Sequence, residues 1–236
     1  MKYEIKIALP LYKVVYSFLF VTIIILVRPI QSITEIIAPL ETYMALLAGI
    51  FLADTYYQEF TGGRIDCYYR YCLQKKLLSV TKRNIICLIY LFILVAVGYW
   101  GFIFRYQPVY TSAIPEMILY AHTMLATLAS MIFMGSIGFT LTNLAQSIGA
   151  GISGVLILWL AMTSSVMNKL PECFQLFLLY SSEAQDGTLL PYYLSRGMYV
   201  MIGVLLFGFN VLLIQRQPKQ RKGWKNNGNK AEGRTL

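Results

Sequence analysis

The chain has 236 residues, 57% of them apolar and only 13% charged, with a mean hydropathy of +0.59 and a formal charge of +9. That balance excludes a soluble globular domain, and no stretch between the apolar runs is long enough for a core of its own. The positive charge clusters beside apolar runs, so membrane orientation and anionic lipid explain it better than nucleic acid does.

Six apolar runs follow one another: Leu11–Val27, Ile36–Ala53, Ile85–Phe104, Met117–Leu144, Ile148–Met167 and Met198–Ile214. At ~1.5 Å rise per residue, roughly 20 residues cover the ~30 Å hydrocarbon thickness of a bilayer. Backbone polar groups in lipid must be satisfied within a helix or a closed barrel. The expected fold is therefore an all-α integral membrane protein with six transmembrane helices.

Lys2, Lys6 and Lys13 precede or open the first run, as in a signal peptide. The run ends at Arg28-Pro29 without a small-x-small cleavage site, so it reads as a retained first span. Lys13 is expected to extend its ammonium back to the interface. A short turn, Arg28–Glu35, leads to the second span, which carries Glu41. An ionisable group inside a span is costly and is a functional candidate by default. Glu41 lies about five residues from the span's outer end, where pathway lining and simple interfacial placement are both open. A water-filled vestibule, or a hydrogen bond to a neighbouring tyrosine or threonine, would tolerate it.

The loop Tyr57–Asn84 is broken by Gly62-Gly63. Ile65, Tyr68, Tyr69 and Cys72 then recur at helical spacing, predicting a surface helix over about 65–78. The fourth span is long and carries the single histidine, His122. As a lone histidine on an apolar helix, its expected role is structural hydrogen bonding, although it shares Glu41's depth and could face the same outer cavity. A minimal link at Asn143–Ser147 joins the fourth and fifth spans, and Gly149, Gly151 and Gly154 crowd the corner beyond it. Small residues at this spacing let helix backbones approach closely. The outer segment Lys169–Arg196 contains an apolar stretch, Cys173–Tyr180, of re-entrant length, and Pro191-Tyr192-Tyr193 is placed to anchor the sixth span in an aromatic belt. The domain reading is a six-helix membrane domain over 1–215 and a basic, disordered tail over 216–236.

Sorting charges by connection puts 16 of the 20 lysines and arginines at the N-terminus, in the second-to-third loop and in the tail, all on one side. Arg28, Arg105, Lys169 and Arg196 fall on the other. The basic side is cytoplasmic, which places both termini inside the cell.

Chemistry-bearing patterns are few. Gly151-Ile152-Ser153-Gly154 matches the G-x-S-G of rhomboid proteases, but the only available base, His122, lies about 20 Å away in depth. The chain order of serine and histidine is also reversed. There is no H-E-x-x-H and no P-loop, so no catalytic residue or metal is expected and nucleotide energy must come from another polypeptide. The four cysteines, split between loop, span and outer segment, form no disulfide or zinc framework.

The stretch Glu59-Phe60-Thr61-Gly62-Gly63-Arg64, followed by Lys75-Lys76 and Lys82-Arg83, resembles the coupling loop of permease subunits of ABC-2 type ABC transporters. That loop often runs E-x-x-x-G-T, whereas Arg64 stands here at the threonine. The proline common after the coupling helix is missing, and the region before the first span is too short for a long elbow helix. The outer Pro171–Tyr180 segment is similar to that family's external hairpin, and the chain's small size is similar to permeases of bacteriocin and lantibiotic exporters. The resemblance implies a coupling helix on the cytoplasmic side, with Glu59, Thr61, Gly62, Gly63, Arg64 and Asp66 facing an ATP-binding subunit. It further implies a second permease chain as partner, ATP and Mg held by the ATP-binding subunit, and none bound here. Export of a peptide, antimicrobial or other amphipathic substrate is the implied activity. A non-transporting assembly or regulatory membrane protein is the alternative, and an intramembrane serine protease ranks third.

Overall fold

The computed structural model describes residues 2–55, 73–110, 115–164 and 189–232, with side chains over 4–55, 74–110, 115–164 and 192–214. The helices in chain order are α1 (Lys2–Ala8), α2 (Leu11–Val27), a 3-10 turn (Ile33–Ile36) running into α3 (Ile37–Ala53), α4 (Leu73–Tyr106), α5 (Glu116–Ala145), α6 (Ile148–Thr163) and α7 (Leu189–Glu232). Each of the six apolar runs is helical wherever it is described, save Ser164, which is extended and ends the helix of the fifth. By length and composition four helices can cross a membrane: Ile33–Ala53, Gln74–Tyr106, Glu116–Ala145 and Tyr192–Ile214. The other two apolar helices, α2 and α6, have 17 and 16 residues. At ~1.5 Å per residue they reach roughly 25 Å, a little under the hydrocarbon thickness.

Proline and backbone geometry set the breaks. Pro10, extended at ψ 152°, separates α1 from α2, and Arg28 ahead of Pro29 turns extended and ends α2. Gln146 in the left-handed region at φ 53° closes α5, and extended Ser147 opens α6. Beyond α2 and α4, Val109 N–H donates to the Gln31 carbonyl at 2.9 Å and tethers the two connections to each other.

The contacts fix helix directions. Glu41 of α3 meets Ser130 of α5 and Gly49 abuts Gly138, so α3 and α5 run the same way. Phe133 stacks on Tyr199 and Asn143 bonds Asn210, so α7 follows that direction too. Ser17 meets Tyr90 and Tyr106 donates to the Ile25 carbonyl, so α2 and α4 are parallel to each other. Lys13 at the start of α2 reaches Asp54 at the end of α3, making that pair antiparallel. Directions alternate along the chain. Within this bundle α3 is the hub: 83% of its membrane-length part is buried, against 39% for α4 and 22% for α7. The exposed faces of α2, α4 and α7 are apolar, as on α4 at Ile85, Ile89, Ile93, Val97, Trp100 and Phe104.

Close packing rests on glycine where α3, α5 and α6 meet. A Cβ on Gly138 would run into the Gly49 carbonyl oxygen, and one on Gly49 into Val155. Gly151 sits against Thr142 and Gly154 against Leu141, whereas a Cβ on Gly149 would have only Ser147 Oγ nearby, at 3.8 Å. Of the three small residues read as packing positions, two lie in tight contacts and Gly149 does not.

Three expectations change. The stretch 73–78 does not end a separate surface helix; it forms the first turns of α4. Lys76, Val80, Arg83, Cys87, Leu91 and Leu94 make one continuous buried stripe, and no glycine or proline interrupts it. Lys13 does not extend to the interface. It is 2% exposed, ion-paired with Asp54, hydrogen-bonded to the Phe51 carbonyl at 3.3 Å and seated over the Phe51 ring. The cause is register: Lys13, Ser17, Val21 and Ile24 share the buried face of α2. The tail, expected to be disordered from 216, continues α7 as helix to Glu232. Its first turns are rich in Gln, Arg and Lys, good helix formers that extend an existing helix. The expected re-entrant stretch 173–180 and the end of the fifth span, 165–167, lie outside the described residues.

The short α1 lies on the basic start of α4, with Glu4 accepting from Arg83 Nε at 2.6 Å and from Ser79 Oγ at 2.8 Å. Burial alone would raise the Glu4 carboxyl; the hydrogen bonds from Arg83 and Ser79 and the Arg83 charge outweigh it and hold it below the ordinary 4.5. A carboxyl lowered on folding stabilises docking above its unfolded value and loses that contribution as pH falls through the folded one. A spin label at Ile5→Cys is expected to stay immobile at neutral pH and to loosen only below pH 4.5. In a Glu4→Gln background that acid step should vanish. Packing predicts a second contrast: Gly138→Ala costs about 1–3 kcal/mol by overpacking. Gly208→Ala, with open space around it, gains up to about 1 kcal/mol in helix propensity. Unfolding in detergent measures both.

Candidate functional site

The only fully buried carboxylate among the described residues is Glu41, on the second turn of α3, with 0% exposure. An ionised group there survives only with counter-charge and donors on its oxygens. Both are present. Ser130 Oγ of α5 donates to Oε1 at 2.6 Å and Tyr192 OH of α7 donates to Oε2 at 3.1 Å. Arg196 of α7, 6% exposed, brings Nε to 2.5 Å from Oε1, off the N–H axis, so this contact is charge pairing more than a directed hydrogen bond. Its guanidinium also lies over the rings of Tyr192 and Tyr199, at 4.6 and 4.9 Å, and donates to Ser195 Oγ at 3.1 Å. Cation–π contacts of this kind strengthen as water is excluded.

The spacing explains the cluster. Tyr192, Arg196 and Tyr199 recur at four and three residues and so share one face of α7. That face meets α5 through the Phe133–Tyr199 stack, with centroids 4.5 Å apart. His122 of α5 is half-buried, with ring centroids 5.1 Å from both Tyr192 and Tyr193. Its Nε2 has no hydrogen-bond partner among the described residues, nor has Thr127 Oγ1, which is buried one turn before Ser130.

Glu41 and His122, both read from sequence as pathway candidates, thus share a neighbour in Tyr192. Both Glu41 oxygens are occupied, and the side chain is fully buried. Tyr192 is not a lipid-belt residue, because at 2% exposure it faces the carboxylate, while Tyr193, 51% exposed, lies on the outer surface. The expected coupling residues Glu59, Thr61, Gly62, Gly63, Arg64 and Asp66 lie outside the described residues. Ser153 is exposed and bonds to the Ala150 carbonyl of its own helix. Among the described residues no group of three His, Cys, Asp or Glu side chains could hold a metal ion.

Sequence reasoning missed Arg196, Tyr199 and Ser130. It began the sixth span at Met198, which left Arg196 outside; the helix begins at Leu189, so Arg196 lies two turns in. The usable signal was Glu41 itself, since a carboxylate in a span demands a cation on a facing helix. No protein-family model, curated protein or solved structure matches this chain.

A double-mutant cycle checks the pair. Arg196→Met alone should cost about 3–5 kcal/mol of unfolding free energy, because it strands a buried charge. Adding Glu41→Leu should recover most of that loss.

Proposed function

We propose that this chain is the membrane-spanning permease subunit of an ATP-driven ABC-2 type transporter, exporting a peptide or another amphipathic molecule. One observation carries the reading. Six apolar helices alternate in direction within one bundle, and the connection between α3 and α4, which leads into the basic first turns of α4, leaves the end at which α1 also docks. Six crossings of the cell membrane with both termini cytoplasmic accord with that alternation and with the placement of the basic residues. ATP and Mg would be held by a separate ATP-binding subunit, and a second permease chain would complete the pathway.

In this reading the α3–α4 connection docks on the ATP-binding subunit. Gly62-Gly63 gives permissive backbone at the start of the lever, and Glu59 and Arg64 make polar contacts to the partner. Closure of the ATP-binding subunits would then push on the end of α3 at Asp54 and the start of α4. Both are fastened to neighbours, Asp54 to Lys13 of α2 and Arg83 to Glu4 of α1, so a push would be passed to packed helices rather than lost in a loose loop.

Purification in mild detergent is expected to bring down an ATP-binding companion. Reversing both charges, Glu59→Lys with Arg64→Glu, should cut that recovery about tenfold while the chain stays folded, since a 1.4 kcal/mol loss is tenfold in affinity. Unchanged recovery and turnover would reject these contacts, and the lack of any ATP-binding companion would reject the transport reading.

A further inference from the structure

We propose that the Glu41–Arg196 contact is a releasable latch, which holds the first turns of α7 against α3 and α5 and seals a polar cleft at the end of the bundle away from Lys13 and Asp54. Four observations converge on it. The first is that α7 lies at the edge of the bundle, with only 22% of its membrane-length part buried, and that its contacts with α5 through Tyr199, Gly203 and Phe207 all lie beyond Gly197, so its first turns can part from α5 without breaking them. Its described polar side-chain contacts with other helices lie at its two ends. Tyr192 and Arg196 reach Glu41 at one, and Asn210 reaches Thr140 at 2.7 Å and Asn143 at 2.8 Å at the other. Release at the first end leaves the second as a pivot.

The second observation is Gly197, directly after Arg196. A Cβ there would meet nothing within 4 Å, so packing does not require the glycine. A glycine inside a helix weakens it, which suits a point of bending beside the latch. Third, the contact consists of one charge pair and two hydroxyl hydrogen bonds, so breaking it frees a few specific groups on α3, α5 and α7. Fourth, two polar atoms stand without partners on the α5 side of the contact: Thr127 Oγ1, on a residue with 0% exposure, and His122 Nε2. Buried polar groups are normally satisfied, and an orphan calls for an explanation. With the turns of α7 before Gly197 swung away, water reaches Glu41, Ser130, Thr127 and His122, replacing Arg196 and Tyr192 at Glu41 and giving the two orphaned atoms partners. The closed and open states therefore differ in which polar groups are satisfied. This rests on the transport reading only for what would pass through the cleft; the latch itself is a property of this chain alone.

The test uses the full chain in membranes with Cys67, Cys72, Cys87 and Cys173 replaced and Thr127→Cys introduced. A membrane-impermeant maleimide, applied separately from each face, is the probe. The otherwise unaltered chain is expected to label slowly, Arg196→Gln to speed labelling about tenfold, and Arg196→Lys, which keeps the charge, to stay near the slow rate. Removing the opposite clasp with Asn143→Leu and Asn210→Leu should leave the rate unchanged. Equal labelling of the Arg196→Gln and parental chains would overturn the latch, and so would acceleration by the Asn143/Asn210 variant to the same degree, which would mean general loosening. Should Arg196→Gln fail to fold, Tyr192→Phe replaces it: loss of that hydroxyl is expected to raise labelling severalfold, and no increase would equally overturn the proposal. Recovery of an ATP-binding companion plays no part in this readout, so its failure and the failure of the transport reading are separable.

Discussion

Burying a carboxylate inside an apolar bundle obliges the surrounding helices to supply a cation and hydrogen-bond donors at one depth. Glu41 imposes that demand on α5 and α7, which answer it with Ser130 and with Tyr192 and Arg196. A buried ion pair adds little net stability over apolar residues of the same volume, because desolvation offsets most of the attraction. What it supplies is registry. Sliding α7 by one turn along α3 would strand both charges, whereas an all-apolar contact would tolerate the slip. The Asn210 contacts with Asn143 and Thr140 set the same register from the opposite end. Two polar fixings along one loosely buried helix define its position while leaving its apolar outer face toward lipid.

Glycine does the complementary work at the centre. Lipid offers no hydrophobic drive between helices, so association depends on close van der Waals contact. Gly49 and Gly138 let α3 and α5 approach backbone to backbone, and Gly151 lets α6 fold back on the end of α5. The result is a firm α3–α5–α6 core with α7 laid against it. The other half is bound by mixed contacts: Ser17 to Tyr90, Lys13 to Asp54, and Tyr106 to the Ile25 carbonyl. The Asp54 end of α3 is therefore held by a largely buried charge pair, as is the end near Glu41. The hub helix carries an ionic fixing at each extremity.

Hydropathy made the helices legible because the bilayer leaves the backbone no alternative, and boundaries set by proline, such as Arg28-Pro29, were readable for the same local reason. Glycine contacts at Gly151 and Gly154 were readable from spacing, while Gly49, isolated in its run, became visible only once α5 lay beside it. What escaped was pairing. Lys13 and Arg196 are basic residues near the ends of apolar runs, where the usual rule sends the charge to the headgroups. Each instead falls on the buried face of its helix, opposite an acidic residue distant in sequence, and only tertiary packing supplies that partner. The α4 boundary escaped for a related reason: its amphipathic first turns and its apolar remainder look like two segments by composition, although one buried stripe runs through both.

The registry of α7 on the core depends on the ion pair between α3 and α7, and that geometry can be measured without perturbing it. With labelled glutamate and arginine in a bilayer, the dipolar coupling between the Glu41 carboxyl carbon and the Arg196 guanidinium nitrogens reports their separation by magic-angle-spinning NMR. Glu41→Gln and Arg196→Lys samples assign the signal. The structure predicts a strong coupling, matching an ion pair within about 4 Å. A well-folded sample with no coupling between these two residues would contradict it, and with it the registry of α7 on the core.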